Sequence, residues 1–253
     1  MKQITIEDLE NNLDFTFYDN DSNSILREFE GFEFSNINLV VEELASNGSF
    51  FAGSKFSKRR LSFTGDLISD TVFTLRRTML SVMRQTGYLK LLKFTTYDDL
   101  ELQCYVDIVK LINPYTHSIH TFLIEMVAPD WRFYSQTLNE ATITSDTTIV
   151  NAGNEITEPT IVINGPGTGF TITNVTTGES FYVDYILTAG HTIEINMTEK
   201  TVLYDGITNI YDDFSDDFFS LASGNNQITL GVDSGSTGDT NIIVSWRDAY
   251  RGI

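Results

Sequence analysis

"NAGNEITEPTIVINGPGTGFTITNVTTGESFYV", residues Asn151–Val183, decides how the second half of this chain folds. Short runs such as "TIVING", "FTITNV" and "SFYVDYIL" alternate apolar and polar residues, the period of a half-buried strand. "NAGN", "GPGTG" and "TTGE" break the runs with glycine, asparagine and proline, residues that supply turn geometry. The habit continues on both sides. "ATITSDTTIV" precedes the stretch, and "TIEINM", "TVLYDG", "QITLGV" and "TNIIVSW" follow it, with turn signals at "TAGH", "SGNN" and "DSGSTGD". Strands spaced in this way predict a β-sandwich or barrel. There is no helical period of useful length here, and no repeat of fixed length that would indicate a solenoid.

Upstream, "MVAPDWRFYS" (Met126–Ser135) ends an apolar run at a proline. Pro129 cannot continue a ladder. Trp131, Phe133 and Tyr134 are expected to close a first core as the chain leaves it. The charge also steps here. Residues 1–135 carry 13 basic and 19 acidic side chains, net −6, whereas residues 136–253 carry 3 and 16, net −13. Two domains are therefore expected, 1–135 and 136–253, with a joint within Pro129–Asn139.

The first half is mixed. "INLVVEE" (Ile37–Glu43) reads as a strand, and Ser46–Gly65 as a glycine-containing loop followed by a strand. From Asp66 apolar residues recur at Ile68, Val72, Leu75, Met79 and Val82/Met83, which predicts an amphipathic helix over 66–86, capped by Asp66 and ended by Gly87. Thr74, Arg77, Ser81 and Arg84 fall on its opposite face. That face is either solvated or a subunit contact, since arginine is enriched at interfaces. "YLKLLKFT" and "LELQCYVDIVKLI" flank the turn "TYDD", and "NPYTHS" leads into "IHTFLIEMV", a meander whose short connections make it antiparallel. The fold class is mainly β with one long helix.

Composition narrows the function. The chain has 253 residues, 41% hydrophobic and 12% aromatic, enough for a real core. Its one cysteine, Cys104, lies in an apolar alternation and reads as a small buried hydrophobe, so no disulfide within the chain is expected. "MKQITIEDLE" lacks the order of a secretory signal, and no run approaches the ~18 apolar residues of a membrane span. Net charge of −19 argues against general nucleic-acid affinity.

Catalytic and metal-ligating patterns are sparse, and no catalytic, cofactor or metal residue is assigned. His117 and His120 in "HSIH" would point to opposite faces of a strand, which suits a shared metal poorly. His191 follows a turn and is expected to be exposed. "GPGTG" (Gly165–Gly169) lacks the Lys-Ser/Thr of a phosphate loop and reads as a turn. "YDDFSDDFF" (Tyr211–Phe219) gathers Asp212, Asp213, Asp216 and Asp217 without the spacing of a calcium loop. It reads as a solvated acidic loop or as a docking patch, with Phe214, Phe218 and Phe219 as candidate anchors.

The exit "APDWRFYS" resembles the segment that closes the N-terminal domain of the distal tail proteins (Dit) of long-tailed, non-contractile phages. Asn151, Gly153, Asn154, Pro159, Ile161, Ile163, Gly165, Ile172, Asn174, Thr176, Thr177 and Gly178 match that family's opening C-terminal pattern. "SGNNQITL" and the final "IIVSWRDAYRGI" resemble its "G-x-N" turn and "W-R-x-x-Y" strand. At the aspartate often found after the family's middle strand this chain has Asn196, so no role is carried to it.

The resemblance implies a structural hub and no enzyme. It implies a homo-hexameric ring built by the N-terminal domains, with helix 66–86 and a hairpin or "belt" extension. Galectin-like C-terminal β-sandwiches would project outward. The implied partners are the tail tube protein, a tail-associated lysin or tail-tip hub protein, and receptor-binding or other baseplate proteins. The genome would pass through the ring lumen without specific nucleic-acid recognition, and no membrane or cofactor is implied. The expected location is the virion tail tip, after synthesis in the host cytoplasm. Arg77, Arg84, Asp212, Asp213, Asp216 and Asp217 are the candidate interface residues. One rival is a carbohydrate-binding, lectin-like protein, for which Tyr182, Tyr185 and Tyr211 are candidate platforms; glycan binding would favour it. The other is a glycan hydrolase, for which only scattered carboxylates speak.

Overall fold

A computed structural model describes the chain except for residues 20–23, 34–36, 44–48, 69–70, 85–86 and 115–118, with side chains described outside 34–55 and Asp216. The predicted turn around "NPYTHS" and His117 lie largely outside the described residues. The chain divides into two units: Met1–Gln136 together with Tyr250–Ile253, and Thr137–Ala249. The last four residues thus join the first unit, not the second domain to which 136–253 was assigned. Their backbone is held there. Ile253 N donates to Phe32 O at 3.1 Å, and the buried Arg59 guanidinium donates to Arg251 O.

In the first unit the strands are β1 (Gln3–Asp8), β2 (Leu13–Tyr18), β3 (Ser24–Glu30), β4 (Ile37–Glu43), β5 (Ser49–Phe56) and β6 (Arg59–Leu67). Helix α1 (Val72–Val82) follows, then β7 (Lys90–Thr95), β8 (Glu101–Ile112), β9 (His120–Ala128) and β10 (Phe133–Ser135). The main sheet runs β2-β1-β7-β8-β9-β6-β3, with β10 paired to β8. Every recorded pairing in this unit is antiparallel, and β9 shows why the strands form. Its inward residues His120, Phe122, Ile124, Met126 and Ala128 are buried and alternate with exposed or half-buried ones. The core is rich in phenylalanine. Phe17 packs on Phe63 and Phe122 at 5.2 and 4.8 Å, and Phe94 packs on Phe32 and Phe133 at 5.2 and 4.9 Å. Cys104 is buried in this core, and burial pushes its thiol well above the ordinary range.

Two expectations need correction. The helix is shorter than 66–86. Asp66 lies within β6, one residue before its end, where its carboxylate takes an ion pair from Arg27 and a 2.8 Å hydrogen bond from Thr121, so it caps nothing. The inward alternation of β6, through Leu61, Phe63 and Leu67, runs into the helical spacing that starts at Val72, and the two patterns merge in sequence. Thr71 precedes the helix without a side-chain cap bond and Met83 ends it, so Gly87, at φ +80° beyond the helix end, is not its cap. The glycine-containing stretch read as a loop contributes β5, which pairs with β4 as a separate two-stranded hairpin with a bulge at Val40/Val41. Glycine weakens a strand but does not forbid one where a bulge absorbs the irregularity.

The second unit contains β11 (Asn139–Ile143), β12 (Thr147–Asn151), β13 (Thr160–Asn164), β14 (Gly167–Asn174), β15 (Glu179–Leu187) and β16 (Thr192–Asn196). These are followed by β17 (Thr201–Tyr204), β18 (Thr208–Asn209), β19 (Phe214–Asp216), β20 (Gly224–Ser234) and β21 (Asn241–Trp246). A six-stranded sheet runs β11-β21-β13-β16-β17-β18, and a five-stranded sheet runs β12-β20-β14-β15-β19. Their inner faces share one core. Ile161, Ile163, Ile193, Ile195 and Val244 come from the first sheet, and Phe170, Ile172, Phe181, Val183 and Ile228 from the second. This is the sandwich that the alternating runs predict. The fold as a whole is mainly antiparallel β with one helix among the described residues.

Candidate interaction surfaces

The exit segment explains its own composition. Asp130 follows Pro129 and organises the turn: Arg132 N donates to its Oδ1 at 3.0 Å, and the Tyr134 hydroxyl donates to its Oδ2 at 2.6 Å. Burial works against the Asp130 charge, but hydrogen bonds from Arg132 and Tyr134 hold the carboxyl below its ordinary value. Phe133 is fully buried, and the Arg59 guanidinium lies 4.1 Å from its ring centroid. Arg59 Nε donates to Trp131 O and Nη1 to Gly31 O, both at 2.8 Å. One buried cation therefore satisfies carbonyls from three separate parts of the first unit. Burial lowers its pKa to about 10, which still leaves it charged at neutral pH. Trp131 stacks on Phe56, at the foot of the β4–β5 hairpin, with ring centroids 3.9 Å apart.

The motif residues of the second unit are scaffold rather than surface. Asn174, Asn151 and Asn226 are fully buried. Asn174 Nδ2 donates to Asn226 Oδ1 at 3.1 Å and to Ser220 O at 3.2 Å, while its Oδ1 accepts from Thr176 N at 3.1 Å. Asn226 binds Ala222 on both its N–H and its carbonyl. Asn151 donates to Glu155 O at 2.7 Å and accepts from Gly153 N and Ala249 N. Three buried amides thus close three turns, because each side chain offers both donors and an acceptor to backbone that would otherwise be unsatisfied. Gly153 leaves no room for a side chain, since a Cβ there would lie 1.9 Å from Ala249 O. Trp246 Nε1 reaches Val150 O at 3.2 Å.

The predicted interface residues divide between the two units. Arg77 is exposed on α1, beside exposed Thr74 and Ser81 and opposite the buried Val72, Met79 and Val82, whereas Arg84 is exposed two residues beyond the helix end. Asp212 and Asp213 lie in a 3-10 turn, Tyr211–Asp213, the first exposed and the second half-buried. Asp217 is exposed, and Asp216 pairs through its backbone with Phe181 on β15. The aromatic anchors expected beside them face the core instead. Phe219 is buried and stacks on Phe181 at 5.6 Å, and Phe214 stacks on Phe218 at 4.6 Å and packs against the core. The alternation of Phe and Asp along this stretch separates core from water, a pattern that one-dimensional clustering hides.

Other sequence candidates resolve as structure. His120 is buried against the Phe73 ring. His191 is part-exposed and pairs with Asp205 at 2.7 Å. Asn196 Oδ1 accepts from Thr198 N and Glu199 N at 3.0 Å, closing its own turn. "GPGTG" contains a cis Gly165–Pro166 bond, and Pro166 O accepts from the Thr240 hydroxyl. Among the described residues no group of three or more His, Cys, Asp or Glu is placed to hold a metal ion, and no helix is long and apolar enough to cross a membrane. The sequence did not single out the buried pair of Asp8 and Lys90, 2.9 Å apart. Its members are 82 positions apart in the chain, and neither carries a local signal.

Comparison with known proteins places this scaffold. Residues 152–250 match the family described as siphovirus-type tail component, C-terminal domain. The Dit protein of SPP1, described as a paradigm of the hub adsorption apparatus in phages infecting Gram-positive bacteria, superposes with a TM-score of 0.68 at 14% identity. That alignment covers 97% of this chain and 98% of the other. A chain from the phage p2 baseplate in its activated conformation with strontium gives a TM-score of 0.53 at 10% identity, over 96% and 97% of the two chains. At these identities the likeness is one of fold. No curated protein matches the sequence.

Proposed function

Because the chain is a siphovirus-type tail component of the distal tail (Dit) kind, we propose that it is the structural hub at the tip of a phage tail. The observation that carries this reading is the family match over residues 152–250 joined to a fold shared with SPP1 Dit over 97% of the chain. The first unit forms a homo-hexameric ring between the tail tube protein and a tail-associated lysin or tail-tip hub protein. The genome passes through the lumen. The second unit docks receptor-binding or other baseplate proteins.

The physical features support this division of labour. Head-to-tail closure needs two complementary patches on one subunit. The exposed Arg77 on α1 and Arg84 just beyond it supply cationic charge, and the acidic first fifty residues supply its complement. The net −13 of residues 136–253 steers basic partners and hinders acidic ones. In this role the chain performs no catalysis. Antibody raised against the chain should label virions of the encoding phage at the tail tip. Label confined to the head or spread along the tube would contradict the reading.

A further inference from the structure

We propose that the outward face of the five-stranded sheet binds a neutral saccharide, with Tyr182 as its stacking platform. Tyr182 stands on β15, and its hydroxyl donates to Asp233 Oδ2 on β20 at 2.8 Å. Strand β14 lies between those two strands. Neighbouring strands are ~4.8 Å apart, so the phenol reaches Asp233 only by lying across β14. Gly169 makes this possible. It is buried, sits at φ +64° in the irregular register between Thr168 and Phe170, and has no side chain to lift the ring. A Cβ there would lie 2.6 Å from the Tyr182 hydroxyl and 2.3 Å from Asp233 Oδ2. The hydroxyl end of the ring therefore lies over the Gly169 backbone, and the side chain stays part-exposed on this face.

The surroundings select the ligand. Asp184 and Asp233 are exposed carboxylates, which accept hydrogen bonds and donate none. Thr171 and Ser215 are the cross-strand partners of Tyr182 on its two sides, and Gly231 is the partner of Thr171. Ile186, 72% exposed, stands two residues beyond Asp184, where strand periodicity keeps it on the same face. A pyranose combines an apolar C–H face, suited to the negative face of an aromatic ring, with hydroxyl donors at its edge. Phosphorylated or uronic sugars would meet like charge. A protein partner would find here a hydroxyl- and carboxylate-rich ground instead of the apolar centre that a stable interface uses.

The test is saturation-transfer NMR on the full chain with methyl glucoside, methyl galactoside and N-acetylglucosamine, each at ~10 mM, suited to weak binding. Transfer to pyranose ring protons is expected. It should vanish in Tyr182→Ala and persist in Tyr182→Phe, which keeps the ring. Asp184→Ala, an exposed change that leaves the platform in place, should weaken binding by about tenfold. Absence of transfer from the wild-type chain to all three sugars, or transfer unchanged in Tyr182→Ala, would overturn the proposal. Loss of self-association in Tyr182→Ala without any sugar signal would assign the face to a protein contact, and would overturn it too.

Discussion

Arg59 is a buried cation surrounded by carbonyls, and its burden shows on removal. Its guanidinium bonds Gly31 O, Trp131 O and Arg251 O and packs on Phe133. Arg59→Met would keep apolar volume but strand buried acceptors, at a cost of about 3 kcal/mol. Chemical denaturation should show that loss in the first unit. Gly153→Ala places a methyl against backbone and should cost the second unit about 1–3 kcal/mol. Asp8 adds a pH dependence. Burial alone would raise its pKa, but hydrogen bonds from Lys90, Asn11 and Tyr88 outweigh burial and lower it. Its stabilising contribution is therefore complete above the unfolded carboxylate value of about 4 and is lost as pH falls toward the folded value. Thermal melts between about pH 5 and 2 should fall less steeply for Asp8→Asn than for wild type. Of these residues only Gly153 was marked out by the sequence, as part of the resemblance motif. Arg59 and Asp8 were not singled out, because each finds its partners through long-range pairing.

At the scale of elements, periodicity was legible where one pattern acted alone. The alternating runs of the second half became strands, and "TYDD" became a turn with Asp99 at φ +67°. Patterns failed where two met. The inward alternation of β6 ran into the period of α1 and lengthened the predicted helix. Glycines disguised β5 as a loop. In "YDDFSDDFF" the sequence shows proximity but not which side chains share a face, so core phenylalanines looked like anchors. The aspartates remain testable as a charged surface. Replacing Asp212, Asp213, Asp216 and Asp217 by asparagine should weaken docking of a basic baseplate protein and flatten its salt dependence, measured by titration at several ionic strengths. Unchanged affinity and salt dependence would remove the loop from the docking surface. For α1, Arg77→Glu with Arg84→Glu should weaken self-association by about tenfold or more. The melting temperature should stay near wild type, because both side chains are exposed.

At the scale of the whole molecule, the uneven charge and the change from mixed structure to short strands distinguish the two units, for which ring building and docking are proposed. Limited proteolysis should cut within Pro129–Asn139 and leave a stable C-terminal fragment; cuts scattered evenly along the chain would contradict separable domains. The reading as a tail component rests on the family match over residues 152–250 together with the fold shared with SPP1 Dit. Ring formation is the central claim, and the most direct measurement is the native mass of the full chain in solution. For a 28.5 kDa protomer the account predicts a discrete hexamer, which dissociates as Arg77 and Arg84 are reversed in charge. A strictly monomeric mass at high concentration, unchanged when tail partners are added, would contradict it.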